Sequence, residues 1–306
     1  MRLSIKYLFL FFIIISISLP IFGQDDDWDL LLDKELASNK IIETATFKSS
    51  RILNGQSVEL LPKMGLDFRV AHRFAEFNST DNNFLGFDEA STYFGLYYGI
   101  TNQINIGIAR ATYNQTNYGF VKYAFLRQSS GARNIPITMV LNASVSYTSK
   151  EYSDKKRDED FVSRFDYTYQ LLIARKFSER ISFQITPTLV HRNLVETEDE
   201  PNDLYALGIG GRFLITKHIA FNAEYYWVIN DASRYGYNFY DPLALGFDIQ
   251  IGSHVFQLML TNAAAMTENK FLGETSSDFF NGDIRFGFNL SQVFTLGKTK
   301  TKIKDE

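Results

Sequence analysis

The sequence contains no cysteine among its 306 residues. This absence excludes disulfide bonds, thiolate metal sites, cysteine nucleophiles and the lipid-bearing cysteine of a bacterial lipoprotein. The chain also lacks the repeated apolar runs of a helical membrane protein, because its one continuous apolar run lies at the very start. Tryptophan is scarce, with 2 residues against 28 phenylalanines and 17 tyrosines. Such aromatic usage is typical of a strand-rich protein with an amphipathic outer surface.

The sequence also lacks a large excess of positive or negative charge. The formal net charge is −4 at pH 7, which is too small and too evenly spread to indicate nucleic acid as a partner. The four histidines lie far apart and form none of the spacings that bind metals. The sequence therefore predicts no metal, no cofactor and no catalytic residue, and an outer-membrane hydrolase is the least favoured function.

The apolar run at the start has the features of an export signal. Arg2 and Lys6 precede it, and it ends at the small residue Gly23, which predicts a secretory signal peptide over residues 1–23. An anchoring helix is the alternative, but the run is short for a span and the acidic stretch QDDD follows at once. We expect the intact mass of the envelope protein to correspond to a chain that begins at Gln24. A mass that retains residues 1–23 would contradict this assignment.

From Gly65 onward, polar and apolar residues alternate in segments of about ten residues, the length that a tilted strand needs to cross a bilayer. In the stretch GLDFRVAHRF, for example, Phe68 and Val70 share one parity and Asp67 and Arg69 the other. We count twelve such segments, which begin near residues 65, 91, 104, 119, 137, 164, 181, 204, 219, 243, 255 and 283.

The connections between the segments alternate in length. Tight turns such as TNQ, KFSER, TKH and GSH contrast with the long polar connections 75–90, 149–160, 192–203, 229–241 and 263–282. Barrels of the outer membrane have short periplasmic turns and long extracellular loops, whereas a soluble Greek-key sandwich has no reason to alternate in this way. The sequence therefore predicts an all-β fold, a closed antiparallel transmembrane β-barrel of about 12 strands.

This pattern divides the chain into four parts. Residues 1–23 are the signal peptide, residues 24–63 a periplasmic N-terminal extension or plug without a sustained period of two, residues 64–297 the barrel, and residues 298–306 a polar C-terminal tail.

Charged residues on the polar parity are expected to face the lumen, where water and opposite charges can satisfy them. These candidate lumen-lining residues are Asp67, Arg69, Arg73, Lys122, Arg164, Asp166, Arg212, Glu224, Asp248, Asp283 and Arg285. The first and last strands of an even-stranded barrel are neighbours, so Asp283 and Arg285 are expected either to interleave with the charges of the first strand or to stay solvated separately.

Three stretches carry a resemblance to a known family. ATFKSSRILNGQSVELLPKMGLDFRVAHRF, LYYGITNQINIGIAR and YGFVKYAFLRQ resemble a family of outer-membrane β-barrels of unknown function from Bacteroidota-type bacteria. The resemblance runs from about Ala45 to the end of the chain. It implies a barrel in the cell envelope, and it names neither a substrate nor a catalytic residue.

Two classes of function remain open. A diffusion channel needs a lumen that water can enter, and twelve strands give a bore between those of the filled eight-stranded barrel and the aqueous sixteen-stranded porin. A non-conducting structural or interaction barrel needs a plugged lumen, for which bulky inward residues and the 24–63 extension are suited. We favour a small-solute channel of the outer membrane, whose partners are outer-membrane lipid, the barrel assembly machinery and small solutes.

Overall fold

A computed structural model describes residues 39–78, 90–150, 160–195, 200–229 and 239–296. The predicted signal peptide, the first part of the extension (24–38) and the polar C-terminal tail lie outside these ranges.

Twelve antiparallel strands close into a single barrel in chain order. The strands are β1 (Gly65–Glu76), β2 (Ala90–Gly99), β3 (Ile104–Ala111), β4 (Thr116–Leu126), β5 (Thr138–Thr148), β6 (Phe165–Lys176), β7 (Ile181–Arg192), β8 (Asp203–Leu214), β9 (Ile219–Val228), β10 (Leu243–Ile251), β11 (His254–Thr261) and β12 (Arg285–Thr295). The pairing of β12 with β1 completes the circle and leaves no free edge in the wall. The predicted closed antiparallel barrel of about 12 strands is confirmed.

The alternation of residue types decides which face of each strand turns outward. In β5, Leu141 is 50% exposed on the outer surface, whereas its neighbours Val140 and Asn142 are buried inside. Successive strand residues point to opposite faces, so a shift of one residue would carry every inward polar group to the outer surface. The sequence pattern therefore fixes the register of the wall.

Phe68 of β1 offers a direct test of the outer surface, because its side chain is 45% exposed there. If this face meets lipid, Phe68→Arg should destabilise the folded barrel by about 2–4 kcal/mol at the membrane midplane and by less near an interface. Phe68→Leu, which keeps the position apolar, should have little effect. Urea unfolding in lipid vesicles measures both variants, and equal stability of the two would contradict a lipid-facing Phe68.

The two ends of the barrel differ in their connections. The turns between β2 and β3, β6 and β7, β8 and β9, and β10 and β11 are tight, and β1 begins and β12 ends at this same end, which we call the turn side. A short ribbon pairs Lys40–Ile42 with Ser129–Gly131 on the turn side. The opposite end, the loop side, carries most of the long connections and a six-residue helix, α1 (Glu268–Gly273). Two connections depart from the predicted alternation, because the long connection 127–137 lies on the turn side and the short connection 112–115 on the loop side. No helix among the described residues is long and apolar enough to cross a membrane.

Candidate functional site

Residues 46–62, which we call the inner hairpin, lie inside the barrel. The chain reverses where the Ile52 N–H donates to the Gly55 carbonyl oxygen at 2.9 Å, and Arg51 and Gln56 form an isolated bridge across the bend. The inner hairpin makes hydrogen bonds to Arg69 and Arg73 of β1, Lys122 of β4, Gln184 of β7, Glu224 of β9, Gln257 of β11 and Asn289 of β12. A segment that touches strands all around a closed barrel occupies its lumen.

One buried carboxylate holds the tip of the inner hairpin. Glu224 accepts hydrogen bonds from the backbone N–H groups of Leu53 at 3.3 Å, Asn54 at 2.5 Å and Gly55 at 3.2 Å. Hydrogen bonds to an ionised acceptor are stronger than neutral ones, so a single side chain fixes three donors of the turn. A Cβ atom at Gly55 would lie 1.8 Å from the hydroxyl oxygen of the buried Tyr226, so any larger residue there would force the Tyr226 side chain to move.

Apolar packing also holds the inner hairpin. Phe47, Ile52 and Val58 form one buried cluster with small or apolar inward residues of the wall, namely Ala124, Val140, Leu172 and Ala174. Burial of these three large side chains contributes on the order of 1.5–3 kcal/mol each. Hydrogen bonds and hydrophobic contacts with the wall therefore both anchor the inner hairpin.

A second segment fills the lumen from the loop side. Residues 263–277, which we call the inner loop, contain α1 and are largely buried. Phe271 packs against Tyr226 with ring centroids 5.2 Å apart. Asn269 donates to Asp166 at 2.7 Å, and the Lys270 ammonium lies 3.6 Å from the same carboxylate.

The inner hairpin and the inner loop meet in the middle of the lumen. The Arg51 guanidinium lies 3.2 Å from the Glu268 carboxylate and donates to the Met266 carbonyl oxygen at 3.2 Å. Gln56 Nε2 also donates to Glu268, at 3.0 Å. The side chains of Arg51 and Glu268 are 5% and 0% exposed, and the Arg51 guanidinium also lies 5.3 Å from the ring centroid of Tyr93. This contact joins the two segments that occupy the lumen.

Most of the candidate lumen-lining residues do point inward, and five of them, Arg69, Arg73, Lys122, Asp166 and Glu224, bond to these two segments. Those that are inward and buried are Asp67, Arg69, Arg73, Lys122, Asp166, Arg212, Glu224 and Asp248. Arg69 donates to the hydroxyls of Ser49 and Ser50 at 2.6 and 3.1 Å. Lys122 donates to the carbonyl oxygens of Ser50 and Ser57 at 2.8 and 3.0 Å. In this closed arrangement protein atoms rather than bulk water surround these charges, and Nε and Nη1 of Arg69 and Nε of Arg212 are buried without a hydrogen-bond partner.

Arg164 does not line the lumen. It ends a short 3-10 turn (Phe161–Arg164) before β6 and donates to the carbonyl oxygens of Thr148 and Lys150 at 3.2 and 3.1 Å. The residue shares the inward parity of β6, but the strand starts one position later, so its side chain bonds to the loop-side connection.

Asp283 lies outside the last strand, because β12 begins only at Arg285. In the connection before the strand, a hydrogen bond from Asn78 at 2.7 Å lowers the pKa of the Asp283 carboxyl group. Arg285 pairs with Glu76 of β1 at 2.6 Å across the seam between β12 and β1, on the loop-side rim. Arg285 therefore meets a charge of the first strand at the rim.

Farther from the rim, polar residues of β12 contact charged residues of β1 along the same seam. The Ser291 hydroxyl donates to Asp67 at 2.6 Å, and Arg73 donates to the Asn289 side-chain oxygen at 3.0 Å. A register shift between Arg285 and Gly287 displaces the last strand at the loop-side end of this seam.

Sequence reasoning did not select Arg51, Asn54, Gln56 and Glu268, because they lie outside the alternating segments. The Asn54–Gly55 dipeptide is a turn signal that could have located the bend. No group of three or more metal-binding side chains occurs in the described parts of the chain. His191 and Asp203 do pair, at 2.7 Å, on the outward faces of β7 and β8.

Comparison with known proteins agrees with this architecture. A family model described as "Membrane bound beta barrel domain (DUF5777)" matches residues 47–294. The matched range starts within the inner hairpin and ends in β12, so it includes the lumen segments as well as the wall. No curated protein matches the chain.

Several solved structures are similar to this chain. The KdgM porin is 8% identical over 76% of this chain and 99% of that chain, with a TM-score of 0.43. A double variant of OccD1 (OprD) is 12% identical over 85% and 74% of the two chains, with a TM-score of 0.32. The Ralstonia pickettii toluene transporter TbuX is 8% identical over 81% and 92%, with a TM-score of 0.32. None of these similarities identifies a solute for this chain.

Proposed function

We propose that this chain, which belongs to the DUF5777 family of membrane-bound β-barrel domains, is an outer-membrane channel for small solutes that its own inner hairpin and inner loop keep closed at rest. It is exported by its signal peptide, inserted by the barrel assembly machinery and surrounded by outer-membrane lipid. It acts without catalysis and without nucleic acid as a partner. The Bacteroidota-type origin that the resemblance implies belongs to the same proposal.

The observation that carries this proposal is how the inner hairpin is held. Within the described residues, it makes no strand pairing with the barrel wall, and its only flanking ribbon joins Lys40–Ile42 to Ser129–Gly131 outside the wall. Hydrogen bonds retain it in the lumen, in which the side chains of Glu224 and Gln184 accept and the Lys122 ammonium donates. Such contacts can be exchanged for water one by one, so the hairpin can leave without breaking the wall, at the cost of exposing Phe47, Ile52 and Val58.

The chemistry of the inner wall supports the same function. Apolar side chains fill a permanently dry core with a more favourable free energy of folding than charged ones, because buried charges carry a large desolvation cost. This wall instead presents charged groups and hydroxyls. The hydroxyls of Ser144 and Ser182 are buried inside without a protein hydrogen-bond partner. Once the inner hairpin leaves, water can hydrate all of these groups, which suits a lumen that opens.

Single-channel recording of the purified full-length protein in planar bilayers tests the proposal. We expect a predominantly closed baseline with discrete openings. The second candidate, a non-conducting interaction barrel, is favoured by the filling of the lumen from both ends. That candidate predicts silence at every voltage, both for the full-length chain and for a chain that lacks the inner hairpin.

A further inference from the structure

The outer surface of the barrel is not uniformly convex. A groove of about 590 Å³ crosses β1 to β6 near the loop side. Two adjacent rows of outward residues form most of it. The row nearer the loop side consists of Phe94, Arg110, Asn117, Tyr147 and Phe165, and the next row of Phe68, Leu96, Ile108, Gly119 and Val145.

A glycine forms the floor of this groove. Gly119 stands between Ile108 and Val145 in the register, so the row has a gap where its neighbours carry branched side chains. A Cβ atom on Gly119 would have no heavy atom closer than 3.8 Å, which is ordinary contact. The gap is therefore open rather than filled by a neighbour, and its walls are apolar. The side chain of Ile108, on one side of this gap, is 67% exposed.

A cation stands at the loop-side end of the same groove. Arg110 faces outward, and its Nη1 atom donates to Asn117 at 2.8 Å and Ser149 at 2.7 Å. These two hydrogen bonds use one nitrogen, and none of the ion pairs found among the described residues involves Arg110. Its remaining N–H groups can thus serve an external acceptor.

The surrounding aromatic residues indicate the depth of Arg110 in the membrane. Tyr147, Phe161 and Phe165 cluster with ring centroids 5.1 to 5.5 Å apart at this end of β5 and β6. Aromatic girdles mark the boundary between acyl chains and headgroups. An outward arginine at that level lies where lipid phosphates lie, and a guanidinium binds phosphate with two parallel hydrogen bonds.

We propose that this groove binds a phosphorylated, acylated glycolipid of the lipid A class, with a phosphate on Arg110 and an acyl chain over Gly119. The proposal rests on the proposed outer-membrane location with the long loops outside. The loop-side leaflet is then the outer one, which in an outer membrane is built from lipopolysaccharide. A cation at one end of an apolar groove matches an anionic headgroup at one end of an acyl chain.

Native mass spectrometry of the detergent-purified full-length protein, titrated with lipid A, tests this site. Gly119→Leu should fill the groove, and Arg110→Gln should remove the cation. We expect each to weaken lipid A binding at least tenfold. Gly211→Leu and Arg175→Gln are matched controls that should bind as the wild type does. Gly211 is another outward glycine with open space around it, and Arg175 is another exposed arginine, which lies over the Phe177 ring near the turn side.

Heat-modifiable mobility in electrophoresis confirms that each variant is folded before the titration. Wild-type affinity in both Gly119→Leu and Arg110→Gln would overturn the site. Equal binding of phosphatidylglycerol and lipid A would overturn the lipid A assignment, since it would assign the groove to any anionic lipid. Neither readout depends on conductance, so failure here is distinguishable from failure of the channel proposal.

Discussion

Deleting residues 24–62, so that Gly23 is followed directly by Lys63, is expected to turn a mostly closed barrel into a steadily conducting one. The deletion removes the inner hairpin and leaves every wall strand intact. It also deprives Glu268 of Arg51 and Gln56, and a buried carboxylate without partners is strongly unfavourable. The inner loop thus loses its contact with the inner hairpin. We expect mean single-channel conductance to rise at least tenfold over the full-length protein.

A shorter truncation provides the control for this deletion. Removal of residues 24–38 alone leaves the ribbon and the inner hairpin in place, and this variant should remain closed. Heat-modifiable mobility should show that both truncated barrels assemble, because water can hydrate the wall charges that the hairpin had satisfied. A folded barrel without residues 24–62 that stays silent would remove the support for a channel and favour the interaction barrel.

Arg51→Met is expected to have the second largest effect, because it leaves the Glu268 carboxylate buried and without its ion-pair partner. Breaking a buried ion pair by removing one partner typically costs about 3–5 kcal/mol. If only the closed state bears this cost, its population relative to the open state falls by roughly a hundredfold or more, at about 1.4 kcal/mol per tenfold. Single-channel recording should show this as a large rise in open probability.

The double variant Arg51→Met/Glu268→Leu separates loss of the pair from general damage to the lumen. Replacing a buried ion pair by apolar residues of similar size is often neutral or stabilising. The double variant should therefore be closed for more of the time than Arg51→Met. Equal open probability in the single and double variants would show that the Arg51–Glu268 contact does not couple the two lumen segments.

The wall could be predicted from the sequence because its information is local. A period of two assigns each residue to a face whatever lies elsewhere in the chain, and Leu141 and Asn142 fall on the predicted sides. Strand ends are less well determined, since Arg164 and Asp283 continue the alternation of β6 and β12 although the strands begin after them. Parity carries no information about where pairing stops.

The contents of the lumen could not be predicted in the same way. The hydrogen bond between Gln56 and Glu268 joins residues 212 positions apart, and neither residue belongs to an alternating segment. Only the closed barrel brings them together. The inward charges of the wall indicated that something had to satisfy them, but the sequence did not distinguish water from a segment of the chain itself.

Labelling of a lumen cysteine measures most directly whether the inner hairpin closes the barrel. Val140 is fully buried against the inner hairpin and Leu141 is half exposed on the outer surface, and the natural sequence has no cysteine to interfere. In vesicles, Val140→Cys should react slowly with a water-soluble maleimide in the full-length protein and rapidly when residues 24–62 are deleted, while Leu141→Cys stays unreactive in both. Equally rapid labelling of Val140→Cys with and without the inner hairpin would contradict the account.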